Sequence, residues 1–124
     1  MRTYDIDRDD RAPVAARHAL DDLASEIDPA LLDDARLLVT ELVTNGVRHG
    51  QGDHVRLILD APQPDRLRCE VIDDGHGFLP IARQAETDEP GGWGLYLVEK
   101  LAETWGVREG STHVWFELTA QPRA

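Results

Sequence analysis

The clearest hydrophobic pattern of the chain lies between residues 29 and 48. Apolar side chains recur there every three or four positions, the spacing of one helix face. Asp28 can cap the free N–H groups at the start, Pro29 suits the first helical position, and Gly50 is a suitable C-terminal stop. The pattern predicts a long helix whose buried stripe consists of Leu31, Ala35, Leu38 and Leu42, widened by Leu32, Val39, Val43 and Val47.

A second helical pattern precedes this helix. It opens at Pro13 and runs to about Ile27. Before it, residues 2–7 fit a short edge strand. We expect the inward side of this first helix to consist of Val14, Ala15, His18, Leu20 and Leu23.

The second half of the chain changes to strand-like alternation, interrupted by one long aperiodic stretch. Glycine and proline accumulate between Gly75 and Gly92, which predicts a loop with one helical turn near 81–85. Loops of this length inside a compact domain often act as lids. The other predicted elements are strands at 54–60 and 67–73, a helix at 93–105, and strands at about 106–109 and 112–119.

This order of elements predicts an α/β fold. The amphipathic helices need a sheet face to cover, so we expect a two-layer α/β sandwich with the helices on one face. The sheet is expected to be mixed but mostly antiparallel. A length of 124 residues suits a single domain, which we place at residues 1–124.

The charge of the chain narrows the choice of partners. The formal net charge is −11, which argues against direct binding to nucleic acid or an anionic membrane, since both need a basic surface. The negative charge favours binding to a basic surface of a partner, or it serves only to keep the protein soluble. Cys69 is the only cysteine, which fits a reducing compartment. With no signal-peptide pattern and no apolar run of membrane length, we expect a cytoplasmic protein.

Three polar residues of the long helix could carry chemistry. Glu41, Asn45 and His49 are spaced by four, and each step advances by about 40° beyond a full turn, so they share one face. An amide oxygen can bind Mg²⁺, a carboxylate can deprotonate a hydroxyl, and His49 could touch phosphate. The alternative is an ordinary exposed polar face. Gly46 argues against it, because glycine inside a helix costs about 1 kcal/mol relative to alanine.

Two glycine-rich turns add a possible ligand site. Asp73 ends a predicted strand and can accept a hydrogen bond from an exocyclic amine, such as that of adenine, while Gly75 and Gly77 allow close approach of a ligand. Gly92 and Gly94 precede a helix, whose free N–H groups suit a polyphosphate. An ordinary Asp-Gly turn and a flexible connection are the alternatives for these two segments.

In combination, these elements resemble the three nucleotide-binding boxes of the GHKL ATPases, the family of gyrase B, Hsp90, histidine kinases and MutL. Glu41 and Asn45 match the N box, Asp73–Gly77 matches the G1 box, and Gly92–Leu95 matches the G2 box. The closer similarity is to the anti-sigma-factor serine/threonine kinase branch, the RsbW and SpoIIAB type. That branch has an Ala-Arg pair on the preceding helix, as Ala16-Arg17 here. The resemblance implies a Bergerat-type ATP-binding fold.

The resemblance also implies roles for individual residues. Asn45 would hold Mg²⁺, Glu41 would be the catalytic carboxylate, Asp73 would bind adenine, Arg17 would contact a partner, and residues 78–90 would form the ATP lid. The implied reaction transfers the γ-phosphate of ATP to a serine or threonine of an anti-sigma antagonist. A sigma-like factor is the second implied partner, and a homodimer is compatible with this type. The remaining nucleotide-pocket residues would be His49, Gly75, Gly77, Gly92, Gly94 and Leu95.

Two departures from the family pattern bear on activity. Trp93 stands where many relatives have a basic residue near the phosphates, and Gly46 replaces the usual alanine. The first departure leaves open an alternative function, a nucleotide-binding interaction module without phosphotransfer. A histidine-kinase catalytic domain is a third alternative, which the short segment before the N-box helix argues against.

Overall fold

The computed structural model describes residues 1–49, 52–73, 93–107 and 113–120, and within them it forms one sheet and three helices. The helices and strands follow one another along the chain in the order that the hydrophobic pattern predicts. The elements are β1 (Arg2–Asp7), α1 (Ala12–Asp21), α2 (Pro29–His49), β2 (His54–Gln63), β3 (Arg66–Ile72), α3 (Trp93–Leu101), β4 (Thr104–Val107) and β5 (Val114–Thr119).

The five described strands form a sheet of order β1-β2-β3-β5-β4. Each neighbouring pair of described strands is antiparallel, so no parallel pairing of the kind expected in a mixed sheet occurs among them. β1 is an edge strand, as its sequence suggested, and β4 is the other edge. The predicted α/β fold class is confirmed, with α1 and α2 packed against one side of this sheet.

α2 supplies the centre of the core, and its predicted stripe is confirmed. Leu38, Val39 and Val43 have no exposed surface, and Val47 is half-buried against the same cluster. At the N-terminus the amide of Ala30 donates to Asp28 Oδ1 over 2.8 Å, which confirms the predicted cap. The amide of Asp28 itself donates to the carbonyl of Pro64 in the β2–β3 turn, so this end of α2 is tied to the sheet.

The inward face predicted for α1 is partly wrong. Val14, Ala15 and His18 are exposed, and Leu20 and Leu23 are buried as expected. The side that packs is made mainly of small residues, which permit close packing but contribute little hydrophobic signal to the sequence pattern. The buried residues of α1 are Ala12, Ala16, Ala19 and Leu20.

The predicted ends of two helices are also wrong. α1 ends at Asp21 rather than near Ile27, and turns with i to i−3 hydrogen bonds follow it. α3 ends at Leu101 rather than at residue 105, because Thr104 and Trp105 pair with β5 in strand β4. The helical spacing of apolar residues carries no information about β5, the strand with which Thr104 and Trp105 pair. Gly50 and the predicted helical turn at 81–85 lie outside the described residues.

The outer side of the sheet carries polar and aromatic side chains. Arg68 stacks over the Trp115 ring, with its guanidinium carbon 4.5 Å from the ring centre, and pairs with Glu117 at 3.0 Å. Neighbouring His113 Nε2 lies 2.8 Å from Glu70 Oε1. This alternation of buried and polar positions is typical of a sheet covered on one face. None of the helices in the described ranges combines the length and apolarity needed to cross a bilayer.

Candidate functional site

The C-terminal half of α2 meets the end of β3 at Gly46. A Cβ atom built on Gly46 would lie 3.3 Å from Asp73 Oδ2 and 3.3 Å from Val55 Cγ2. The helix therefore approaches the strand end so closely that the Asp73 carboxylate lies against it. This contact places the G1-box carboxylate beside the residue that follows Asn45, so the structure brings the N box and the G1 box together.

Asn45 carries the most unusual polar atom of the described chain. Its Oδ1 atom has essentially no accessible surface and no hydrogen-bond partner among the residues that the structure describes. Leaving such an acceptor unpaired typically costs about 1–3 kcal/mol. A protein tolerates that cost where a ligand later satisfies the atom, and an amide oxygen is a ligand of the type that Mg²⁺ prefers.

Glu41 lies one helical turn before Asn45 and is half-exposed. Within the described part of the chain its carboxylate makes no side-chain hydrogen bond or ion pair. A carboxylate that is accessible and unpaired can accept a proton from a hydroxyl brought into the site. Its spacing from Asn45 puts both side chains on the same side of α2.

Arg8 supports the last turn of α2 from the end of β1. Its Nη1 donates to the carbonyl of Val47 over 2.8 Å, and its Nε donates to the carbonyl of Gly52 over 2.6 Å. The backbone amide of Arg8 also donates to the carbonyl of Asp53 over 2.9 Å. A guanidinium at a helix C-terminus satisfies free carbonyl groups and complements the negative end of the helix dipole. The turn that carries Asn45 and Gly46 is thereby anchored to β1.

Arg8 and Val55 are contributors to the site that the sequence did not reveal. Arg8 is one of several arginines in a polar N-terminal segment, and its contact with Val47 spans 39 positions. Val55 belongs to a strand that the alternation predicts, but nothing in that alternation says which helix residue it faces. Both contacts depend on how α2 lies across the sheet, so single-sequence patterns carry no signal for them.

The remaining predicted site residues divide into three groups. Arg17 is exposed on α1, which leaves it accessible to a partner. The structure gives only the helical backbone of His49, at the end of α2, and of Trp93, Gly94 and Leu95, at the start of α3. Outside the described residues lie Gly75, Gly77, Gly92 and the proposed lid at 78–90.

The described residues fit a magnesium nucleotide in their chemistry. Asn45 offers a buried carbonyl-type oxygen, Asp73 offers a carboxylate, and Glu41 offers a half-exposed carboxylate. Bound Mg²⁺ would neutralise charge on the phosphates. The arrangement is suited to binding a nucleotide and removing a proton from an acceptor hydroxyl.

Comparison with known proteins identifies the family to which the chain is similar. The anti-sigma F factor of Clostridium acetobutylicum is 36% identical over 75 residues, which cover 57% of this chain and 52% of that protein. The match thus spans about half the length of that relative. A family model described as a histidine kinase-like ATPase domain matches residues 7–118, nearly the whole chain. This chain therefore belongs to the histidine kinase-like ATPase domain family.

Proposed function

We propose that the protein is an ATP-dependent regulator of the anti-sigma type. It transfers the γ-phosphate of ATP to a serine or threonine of an anti-sigma antagonist, and it sequesters a sigma-like factor. Membership of the histidine kinase-like ATPase domain family implies ATP binding. The similarity to an anti-sigma F factor supports a sigma factor as one partner. The net charge of −11 supports a partner surface rich in basic residues.

The observation that carries the nucleotide part of this proposal is the buried, unpaired Oδ1 of Asn45. It supports a metal-binding role at the position that the N box assigns to it. In the proposed reaction, Glu41 accepts the proton of the acceptor hydroxyl as its oxygen attacks the γ-phosphorus. The bond between the γ-phosphorus and the bridging oxygen breaks, and ADP leaves with that oxygen.

A second function uses the same site without turnover. Trp93 occupies the first position of α3, where many related kinases have a basic residue near the phosphates. An indole adds no positive charge to a polyphosphate at this helix end. This substitution favours a nucleotide-dependent interaction module, in which ATP occupancy alone controls partner binding.

Calorimetric titration tests the nucleotide site first. The purified chain is titrated with ATP and with GTP, each with and without Mg²⁺. The proposal predicts that ATP is preferred and that its binding requires Mg²⁺. Failure of all four titrations would mean that the protein acts only through protein contacts, and the proposed function would then be wrong.

The variant Glu41→Gln separates the two functions. It removes the proton acceptor but keeps the shape of the side chain, so ATP binding persists and phosphorylation of the antagonist is lost. The matched control is Asp33→Asn, which removes one negative charge from the exposed N-terminal part of the same helix. Partner regulation that survives Glu41→Gln in cells would favour the interaction module. A phosphorylated product that is acid-labile and base-stable would instead indicate phosphohistidine.

A further inference from the structure

We propose that Arg8 is a positioning residue for metal binding, because it holds the last turn of α2 in the form that keeps Asn45 Oδ1 buried and unpaired. The inference deepens the proposed function and rests on it, since there Asn45 binds the Mg²⁺ that accompanies the nucleotide. Arg8 acts through the backbone of α2 and is not itself a ligand of the metal or the nucleotide. Its effect is on the state of the Asn45 oxygen before the metal arrives.

The last turn of α2 is weak by itself. It contains Gly46 and Val47, and glycine is the poorest helix former after proline, while a β-branched side chain also lowers helix propensity. The carbonyl groups of the last four residues of a helix have no partner within the helix, so this turn lacks hydrogen bonds that earlier turns have. Sequence and position therefore favour fraying of α2 just after Asn45.

Arg8 supplies contacts that this turn lacks. Its Nη1 donates to the carbonyl oxygen of Val47 over 2.8 Å, and its Nε donates to that of Gly52 over 2.6 Å, beyond the end of α2. The amide of Arg8 donates to the carbonyl of Asp53 over 2.9 Å, which holds the backbone of Arg8 itself. Arg8 directly follows β1, and every residue of β1 pairs with β2, so these bonds connect the helix end to the sheet.

The backbone of the same turn is packed closely against β2. Gly46 is buried, and a Cβ atom there would lie 3.3 Å from Cγ2 of the fully buried Val55. Such a contact leaves no gap for water as long as the turn stays helical. If the turn frays, the contact opens and water reaches the atoms beside Gly46, among them Asn45 Oδ1.

The unpaired state of Asn45 Oδ1 affects its affinity for a cation. The atom has essentially no accessible surface and no hydrogen-bond partner among the residues that the structure describes. An acceptor in this state loses no hydrogen bond when a cation binds, whereas an acceptor that is bonded to water must first lose that bond. Groups that position a metal ligand typically change metal affinity by about 10–100-fold when they are mutated. We therefore expect loss of the Arg8 side chain to weaken Mg²⁺ binding about tenfold.

The first experiment titrates Mg²⁺ at a fixed ATP concentration and measures the Mg²⁺ concentration that gives half-maximal ATP binding. It compares the unaltered full chain with Arg8→Ala and with Arg2→Ala. Arg2 is a matched control at the start of β1, because its side chain also donates to a backbone carbonyl, that of Asp22 over 3.4 Å, and to Glu26 Oε2 over 2.6 Å.

Both variants remove one positive charge, but only Arg8→Ala should raise the half-maximal Mg²⁺ concentration, by about tenfold. An unchanged concentration in Arg8→Ala would overturn the proposal. An equal rise in Arg2→Ala would also overturn it, since the effect would then follow from lost charge or lost stability in general.

The variant Arg8→Lys separates hydrogen bonding from charge. It keeps a positive charge near the end of α2, but a single ammonium group lacks the planar fork of a guanidinium. The half-maximal Mg²⁺ concentration should lie between those of the unaltered chain and Arg8→Ala. A value equal to that of the unaltered chain would mean that charge alone attracts the anionic nucleotide, and the positioning role would be wrong. This conservative variant also decides the proposal if Arg8→Ala does not fold.

The state of Asn45 Oδ1 can be measured without any nucleotide. A carbonyl carbon resonates further downfield when its oxygen accepts a hydrogen bond. The Cγ signal of Asn45 should therefore move downfield in Arg8→Ala and stay in place in Arg2→Ala. A signal that does not move in Arg8→Ala would contradict the proposal.

These measurements distinguish the inference from the proposed function as a whole. If the chain binds MgATP but phosphorylates no antagonist, the kinase proposal fails, while the Mg²⁺ titration and the Cγ signal of Asn45 still decide the role of Arg8. If the kinase activity is present but the Mg²⁺ requirement is the same in Arg8→Ala, only the inference about Arg8 is wrong. If the unaltered chain binds no magnesium nucleotide, both are wrong.

Discussion

Arg8 Nη1 donates a hydrogen bond to the carbonyl oxygen of Val47 over 2.8 Å, which joins the end of β1 to the last turn of α2. The same guanidinium reaches Gly52 through its Nε atom, so one side chain holds both the end of the helix and the segment that leads to β2. Asn45 and Gly46 lie immediately before Val47. The geometry of the candidate site thus depends on Arg8, which directly follows β1.

Replacement of Arg8 should loosen the end of α2. Arg8→Ala leaves the half-buried carbonyl of Val47 without its donor, and we expect a loss of about 1–3 kcal/mol in the free energy of unfolding. Arg8→Lys keeps the charge but cannot donate to both carbonyls as a fork, so it should recover part of the loss. Urea denaturation measures the stability, and amide hydrogen exchange in residues 45–49 should accelerate in both variants. Unchanged exchange there would contradict the anchoring role.

Replacement of Asn45 should separate binding from stability. Asn45→Ala removes a buried oxygen that has no partner in the described structure, so the variant should unfold at the same urea concentration as the parent or at a higher one. Mg²⁺-dependent nucleotide binding should be lost in the same variant. Thermal or urea unfolding combined with calorimetry measures both. Nucleotide affinity that stays the same with and without Mg²⁺ would exclude Asn45 as the metal ligand.

Replacement of Gly106 should disturb the outer face of the sheet. A Cβ atom there would lie 2.8 Å from Nε1 of Trp115, whose ring also supports the guanidinium of Arg68. Gly106→Ala should displace the indole and lower stability by about 1–3 kcal/mol. The same substitution in a Trp115→Leu background should be neutral or stabilising, because alanine costs less backbone entropy than glycine. Urea denaturation of the parent, the two single variants and the double variant measures these stabilities. If Gly106→Ala also lowered stability in the Trp115→Leu background, this explanation would be wrong.

The thiol of Cys69 should make stability fall at alkaline pH. Full burial in β3 raises the pKa of this thiol well above its ordinary value of 9.0. Below pH 9 the thiol is neutral in both the folded and unfolded states, so its burial contributes fully to the free energy of unfolding. Above pH 9 the thiol ionises only in the unfolded state, so the free energy of unfolding falls by about 1.4 kcal/mol per pH unit.

Comparison with Cys69→Ala isolates this contribution. The difference in unfolding free energy between the parent and the variant should be constant up to about pH 9 and then shrink. Other titrating groups, such as Tyr4, are present in both proteins and cancel in the difference. Equal pH dependence of the two proteins between pH 7 and pH 10.5 would contradict the buried, protonated thiol. The native thiol should also resist alkylation until the protein unfolds.

Much of the architecture follows from local patterns in the sequence. The stripe of α2, its Asp28 cap, and the alternation of β2, β3 and β5 are each encoded by neighbouring residues, and the structure confirms them. The spacing of Glu41 and Asn45 likewise determines that they share one helix face. Periodicity is a property of adjacent residues, so it can be recognised before the fold is known.

Tertiary structure decided the features that depend on distant residues. The packed side of α1 consists mainly of alanines, whose small size carries little hydrophobic signal, and β4 begins at Thr104 because β5 pairs with it. The contact of Gly46 with Asp73, and that of Arg8 with Val47, arise from the path of α2 across the sheet. Such contacts are not encoded by neighbouring residues, since they exist only once the packed core has fixed the distance between helix and strand.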